Sequence, residues 1–258
     1  MRIRQVINAF IGASIVASCC TNASQFTPIL GLSVGGSKLD HPSNQDINFM
    51  YDEFGQLLYN IYTTNSTDHI NAVGNIHGGV LYPMPSRDLS ITAEVLGFVN
   101  SNTSISGHVW EQGSALFDNF TYRYNVRSLG LMAESRIISE KYTLKPYLLG
   151  GIGSAWNTSH KYRQVANNDQ AVSLIQPFPS RRSTNFSYEI GAGIGYNVKN
   201  TFISLEYKFQ DLGQSQLGLP PSQLINDPVT AKIQSNQLML NVTYLFQESQ
   251  QRTVRNEK

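Results

Sequence analysis

The chain has 258 residues, 41% of them hydrophobic but only 14% charged, with a formal net charge of +1. Nothing in that balance suggests a nucleic-acid partner, and 14% is low for a soluble domain, which carries about 25% charge. The length suits one large domain or two small ones.

Residues 1–23 read as a secretory signal peptide. Arg2 and Arg4 precede a short apolar run from Val6 to Ala17, and Thr21-Asn22-Ala23 offers a small-residue cleavage site before Ser24. The run is too short for a membrane helix. A second route is open: Val16-Ala17-Ser18-Cys19 resembles a bacterial lipobox, which would make Cys19 a lipidated first residue. Cleavage after Ala23 removes Cys19 and Cys20, so no disulfide scaffold is expected. It leaves 17 basic residues against 18 acidic ones, a net charge of −1.

Eight segments then alternate apolar and polar residues with a period of two. In 28–38, Leu30, Leu32 and Val34 oppose Gly31, Ser33 and Gly35. A second segment at 71–82 meets Pro83-Met84-Pro85-Ser86-Arg87, where two prolines mark a tight turn. In 89–99, Leu89, Ile91, Ala93 and Val95 oppose Ser90, Thr92 and Glu94. The register of 120–138 is ambiguous, because Tyr122, Tyr124 and Val126 start one face while Leu129 and Leu131 prefer the other, and a bulge would reconcile them. A turn at 139–141 leads to 142–156, where Leu144, Leu148 and Ile152 share a face.

The clearest pattern is 186–209. Phe186, Tyr188, Ile190, Ala192, Ile194, Tyr196 and Val198 line one face, against Ser187, Glu189 and three glycines at 191, 193 and 195. After Lys199-Asn200 the pattern resumes with Ile203, Leu205, Tyr207 and Phe209 opposing Ser204, Glu206 and Lys208. At about 2.5 Å per residue along the membrane normal for a tilted strand, Phe186 to Tyr196 spans about 25 Å, the height of an outer-membrane apolar band. The last segment, 234–246, opposes Leu238, Leu240, Val242, Tyr244 and Phe246 to Gln237, Asn241 and Thr243.

Long polar connections at 40–70, 100–119, 158–184 and 211–233 alternate with the three short turns. That arrangement predicts an all-β, eight-stranded antiparallel up-and-down transmembrane β-barrel with four long outer loops and three short periplasmic turns. Within the first connection, Ile47, Phe49, Tyr51, Leu58 and Tyr62 also alternate, as a hairpin above the membrane or as a further pair making ten strands. Eight is the preferred count, since those segments are shorter than a span requires.

The segment Leu238–Phe246, with alternate aromatics and a terminal Phe, resembles the C-terminal strand of outer-membrane barrels. Together with Lys145-Pro-Tyr-Leu-Leu-Gly-Gly-Ile-Gly and Gly191-Ala-Gly-Ile-Gly-Tyr, it is similar to the small opacity-protein-like barrels and the transmembrane domain of outer-membrane protein A. The resemblance covers roughly 26–246 and rests on residue class. It implies an outer-membrane β-barrel domain over 24–246 of a Gram-negative bacterium, exported through its signal peptide. It also implies that Val242, Tyr244 and Phe246 form the signal read by the barrel-assembly machinery. The polar tail 247–258 departs from that pattern and is too short for a peptidoglycan-binding domain.

Charges inside so narrow a barrel must pair, and Glu94, Arg127, Lys145, Glu189, Glu206 and Lys208 are the expected lumen network. At this strand number the lumen is just wide enough for side chains, so a packed plug is expected ahead of an ion path. Neither a metal site nor a cofactor is expected, since His41, His69, His77, His108 and His160 match no zinc spacing. His41-Pro42-Ser43 has the His-x-Ser order of a barrel lipid A deacylase, but it sits in a Pro-bearing loop with no orienting carboxylate, so no catalytic residue is assigned. Arg181-Arg182 is a weak signal for lipopolysaccharide phosphates, and a plain solvated loop is the preferred reading. The expected partners are outer-membrane lipid, lipopolysaccharide, the assembly machinery and a host or surface ligand at the loops, with no nucleic acid and a monomeric state. The leading function is non-enzymatic: envelope integrity, adhesion or host contact. A small porin-like channel and a lipid A-modifying enzyme are the alternatives.

Overall fold

The computed structural model describes residues 26–40, 44–51, 57–65, 69–167, 177–220 and 227–246. The segment 1–23 read as a signal peptide (Cys19 included), the His41–Ser43 stretch and the tail 247–258 lie outside them.

Ten antiparallel strands follow in chain order: β1 (Thr27–Leu39), β2 (Gln45–Tyr51), β3 (Leu57–Tyr62), β4 (Ile70–Met84), β5 (Leu89–Trp110), β6 (Asp118–Ser139), β7 (Lys145–Ala166), β8 (Arg181–Val198), β9 (Thr201–Gln216) and β10 (Thr230–Leu245). Eight of them close a ring in the order β1-β4-β5-β6-β7-β8-β9-β10, with β10 returning to β1. Closure leaves no open edge around the lower part of the ring, where each strand has a ladder partner on both sides. The remaining pair, β2 and β3, is the hairpin anticipated in the first connection. It joins the rim of β5 through Ile61 opposite Trp110 and Tyr62 opposite Val109.

Three tight turns lie at the end of the ring where β1 begins and β10 finishes. Between β4 and β5, Pro85–Arg87 forms one helical turn closed by Asp88 in the left-handed region. Asp tolerates that conformation better than a branched residue would. Lys199 does the same between β8 and β9 with φ 54°. At the opposite end the connections are longer, yet much of what reads as polar loop continues as strand: β5 reaches Trp110 and β7 reaches Ala166.

That extra length gives the barrel two storeys with opposite polarity. In the lower one, Leu148 is 66% and Ile190 63% exposed on the outer wall, while Lys208 is 1% exposed inside. In the upper one the interior is apolar: Ile47, Tyr62, Ile105, Val109, Phe120, Tyr122, Tyr124, Phe178, Leu212 and Leu217 form one cluster. Its rings pack closely, with Tyr62 and Tyr122 centroids 5.2 Å apart and Tyr162 and Phe178 4.9 Å apart. Burial pushes the Tyr62 and Tyr162 hydroxyls well above the usual tyrosine range.

The polarity switch also explains β6. Tyr122, Tyr124, Val126, Ser128, Met132, Glu134 and Arg136 all point inward in a single phase, and no bulge interrupts the strand from Phe120 onward; its one extra residue, Asn119, sits at the rim. Leu129 and Leu131 face outward because lipid-facing height has been reached. The extra residues sit on the neighbours instead, between Asn100 and Thr103 of β5 and between His160 and Arg163 of β7.

Candidate functional site

A belt of charged and hydrogen-bonding side chains crosses the lower storey. Lys208 of β9 places Nζ 2.9 Å from Glu189 Oε2 on β8, 3.8 Å from Glu206 Oε1 and 4.0 Å from Glu134 Oε2 on β6. Arg136, also on β6, sets Nε 2.8 Å from Glu134 Oε1 and 3.7 Å from Glu94 Oε1 on β5, and Nη2 3.7 Å from Glu206 Oε2. Two permanent cations therefore hold four carboxylates drawn from four strands.

Neutral groups complete the belt. Thr92 donates to Glu94 Oε1 at 2.6 Å, Tyr147 donates to Glu206 Oε2 at 3.1 Å, and Gln210 donates from Nε2 to Glu189 Oε2 at 3.2 Å. His77 of β4 lies 3.7 Å from Glu94 Oε2 and 2.9 Å from Thr243 Oγ1 on β10. Glycine supplies the room: a Cβ at Gly193 would strike the Tyr147 ring, and one at Gly31 would strike His77. Near the turns, Tyr147, Phe202, Ile138, Leu149, Ile29 and Leu245 form a smaller apolar floor.

Of the six lumen residues read from the sequence, four (Glu94, Glu189, Glu206 and Lys208) meet in this belt. Arg127 does not. It is exposed on the outer wall, because β6 keeps one phase from Phe120 onward and sends its odd positions outward. Lys145 is half-buried at the turn end, where it pairs with Glu140 beside a cavity of about 400 Å³ beneath the belt. Glu134, Arg136, Gln210 and His77 belong to the belt but escaped the sequence reading. The signal for the first two was present: Leu131, Ala133 and Ile137 outside require Glu134 and Arg136 inside, once the bulge is abandoned. Among the described residues no cluster of three or more His, Cys, Asp or Glu side chains has metal-binding geometry.

Val242 and Tyr244 of β10 and Phe246 just past its end stand exposed on the outer wall, and the last two rings touch edge to face at 4.8 Å. They mark the lower edge of the apolar band, with Phe26 and Tyr82 packed together at 5.3 Å nearby. Trp156 beneath Arg182 and the exposed Phe186 mark its upper edge. Aromatic rings with a polar tip favour such boundaries.

A closed antiparallel ring, greasy outside over about 25 Å and charged inside, dissolves in a bilayer and not in water. The protein is thus an eight-stranded transmembrane β-barrel of the outer-membrane type. Its architecture is the one implied by the resemblance to small opacity-protein-like barrels. No protein-family model matches the chain, and no curated protein is similar to it in sequence. Among solved structures, Neisserial surface protein A is 12% identical, with 85% of this chain and 97% of that one covered and a TM-score of 0.42. Ail, the attachment invasion locus protein of Yersinia pestis, in complex with the heparin analogue sucrose octasulfate, is 14% identical, covering 86% and 98% with a TM-score of 0.36. The translocator domain of autotransporter NalP from Neisseria meningitidis is 10% identical, covering 93% and 96% with a TM-score of 0.33. At these values the fold assignment rests on the chain's own closed sheet.

Proposed function

We propose that the protein is a sealed, non-enzymatic anchor in the outer membrane of a Gram-negative bacterium, exported through its signal peptide, whose upper storey is a rigid platform for surface ligands. The observation that carries this reading is the filled interior. A polar belt locked by ion pairs is succeeded by an apolar aromatic cluster, so water and ions meet no continuous path. Rigidity follows from the same filling, because the strands rise past the apolar band and close over their own core.

Lipid and lipopolysaccharide surround the lower storey, the barrel-assembly machinery reads Val242, Tyr244 and Phe246, and adhesion or host contact falls to the hairpin β2–β3 and the outer connections. The monomer suffices, since its ring is complete. Planar-bilayer recording of the refolded full chain tests the seal: no steady conductance is expected, and a stable open level would overturn it. Exchanging 44–62 and 111–117 for short linkers tests the platform. Cell-surface adhesion should fall while the barrel still inserts, and unchanged adhesion would remove the platform role.

A further inference from the structure

Five basic side chains stand on the outer wall above the apolar band, spread over three adjacent strands. Arg127 of β6 and Arg182 of β8 occupy one row, each opposite Thr158 of β7. The Arg182 guanidinium lies over the Trp156 ring, 5.7 Å from its centroid. Four residues further out along β6, Arg123 sits directly opposite Arg163 of β7. Lys161, exposed and left-handed with φ 58°, stands between the two rows where β7 carries its extra residue. A bulge of this kind re-aims a side chain.

Like charges directly opposed across strands destabilise a sheet unless something lies between them. Among the described residues none of these five side chains pairs with a carboxylate. Arg123 Nε donates to Ser104 Oγ at 2.6 Å, which fixes the plane of its guanidinium. Arg123 and Arg163 border a shallow hollow of about 460 Å³, to which Asn65, Ser106 and Thr121 add amide and hydroxyl groups. The wall therefore presents two arginine rows, one above the other, each able to grip an anionic group in bidentate fashion.

We propose that this wall is a binding track for a phosphorylated glycolipid of the outer leaflet. The lower row, Arg127 with Arg182, takes a phosphate at headgroup level. It lies two residues beyond Leu129, so about 5 Å above the apolar band, where an interfacial Trp is also favoured. The upper row, Arg123 with Arg163, takes a second anionic group on the saccharide about 10 Å further out, four residues along the strand. Alignment along the membrane normal, starting at the lipid boundary, fits a lipid-borne polyanion rather than a soluble one. The proposal rests on the outer-membrane reading and assigns that lipid a site.

The test uses the full chain refolded into phosphatidylcholine nanodiscs doped with rough lipopolysaccharide or with monophosphoryl lipid A, and counts retained glycolipid by native mass spectrometry. Rough lipopolysaccharide should be retained by the native chain. R127Q/R182Q should weaken retention of both lipids by roughly thirtyfold, the effect of two surface cations. R123Q/R163Q should weaken rough lipopolysaccharide alone, since only it carries core phosphate. Retention of rough lipopolysaccharide at the native level by both double variants overturns the track, as does tighter binding of a soluble heparin fragment than of either lipid. Because all four positions are exposed, folding is checked by the gel shift between boiled and unboiled samples. A native chain that shows no such shift in any vesicle refutes the outer-membrane reading itself, separately from the track.

Discussion

Replacing Lys208 by Met removes one of the two permanent cations in the belt and leaves Glu134, Glu189 and Glu206 facing one another. At an effective dielectric near 20, the 2.9 Å contact with Glu189 is worth about 6 kcal/mol, and the contacts at 3.8 and 4.0 Å about 4 kcal/mol each. Desolvation of the buried ammonium costs several kcal/mol in the native protein and offsets most of that attraction. The net loss on removing one partner of a buried ion network is about 3–5 kcal/mol. K208M should therefore lower stability by that amount in urea unfolding from phospholipid vesicles. Adding Glu189→Gln removes the carboxylate left uncompensated, and the double variant should recover to within about 1 kcal/mol of the native chain. If K208M alone is neutral, or if the second substitution makes matters worse, the carboxylates do not depend on this cation and the belt is not held as described.

The upper storey offers three further checks beside the belt, and the wall glycines a fourth. Tyr62→Ala, which empties a fully buried ring from the aromatic cluster, should cost about 3–5 kcal/mol and expose the upper strands to protease while the gel shift of the lower storey persists. Tyr62 and Tyr162 have folded-state values raised by burial, so they stabilise the fold below pH 10, the ordinary tyrosine value. That contribution fades as pH climbs past 10, where the unfolded phenols ionise and the folded ones do not. Phenolate absorbance should reveal a late-titrating class among the 13 tyrosines, and a single transition near the ordinary value would contradict the buried cluster. Deleting 44–62 should leave the eight-stranded ring able to insert, since β2 and β3 lie outside its closing ladders. Gly191→Ala would set a Cβ 2.6 Å from the Tyr207 carbonyl and 2.7 Å from Lys208 Cβ, so a loss of about 1–3 kcal/mol is expected in the same unfolding assay.

The reversal of polarity along the barrel axis has a simple cause. Where the outer wall meets lipid, apolar side chains are solvated outside and the interior can hold ion pairs. Where it meets water, burial of apolar surface stabilises the fold only if that surface turns inward. The Tyr122, Tyr124 and Val126 series and the Leu129 and Leu131 series on β6 are the same rule applied to two solvents.

The period-two pattern by itself determined which residues share a wall in β1, β8, β9 and β10. Proline and Lys-Asn turns marked the short connections, so the ring of eight and the pairing of Glu189 with a lumen cation were within reach. Only the tertiary structure decided which solvent each wall meets at a given height, and so sent Arg127 outward and Glu134 and Arg136 inward. It also decided which charges meet, because that depends on the stagger of strands distant in sequence: Glu94 and Arg136, or Arg123 and Arg163, become neighbours only through the register of β5, β6 and β7. Alternation records that two residues lie on one face. It carries no information on what that face touches or on who stands opposite across the barrel.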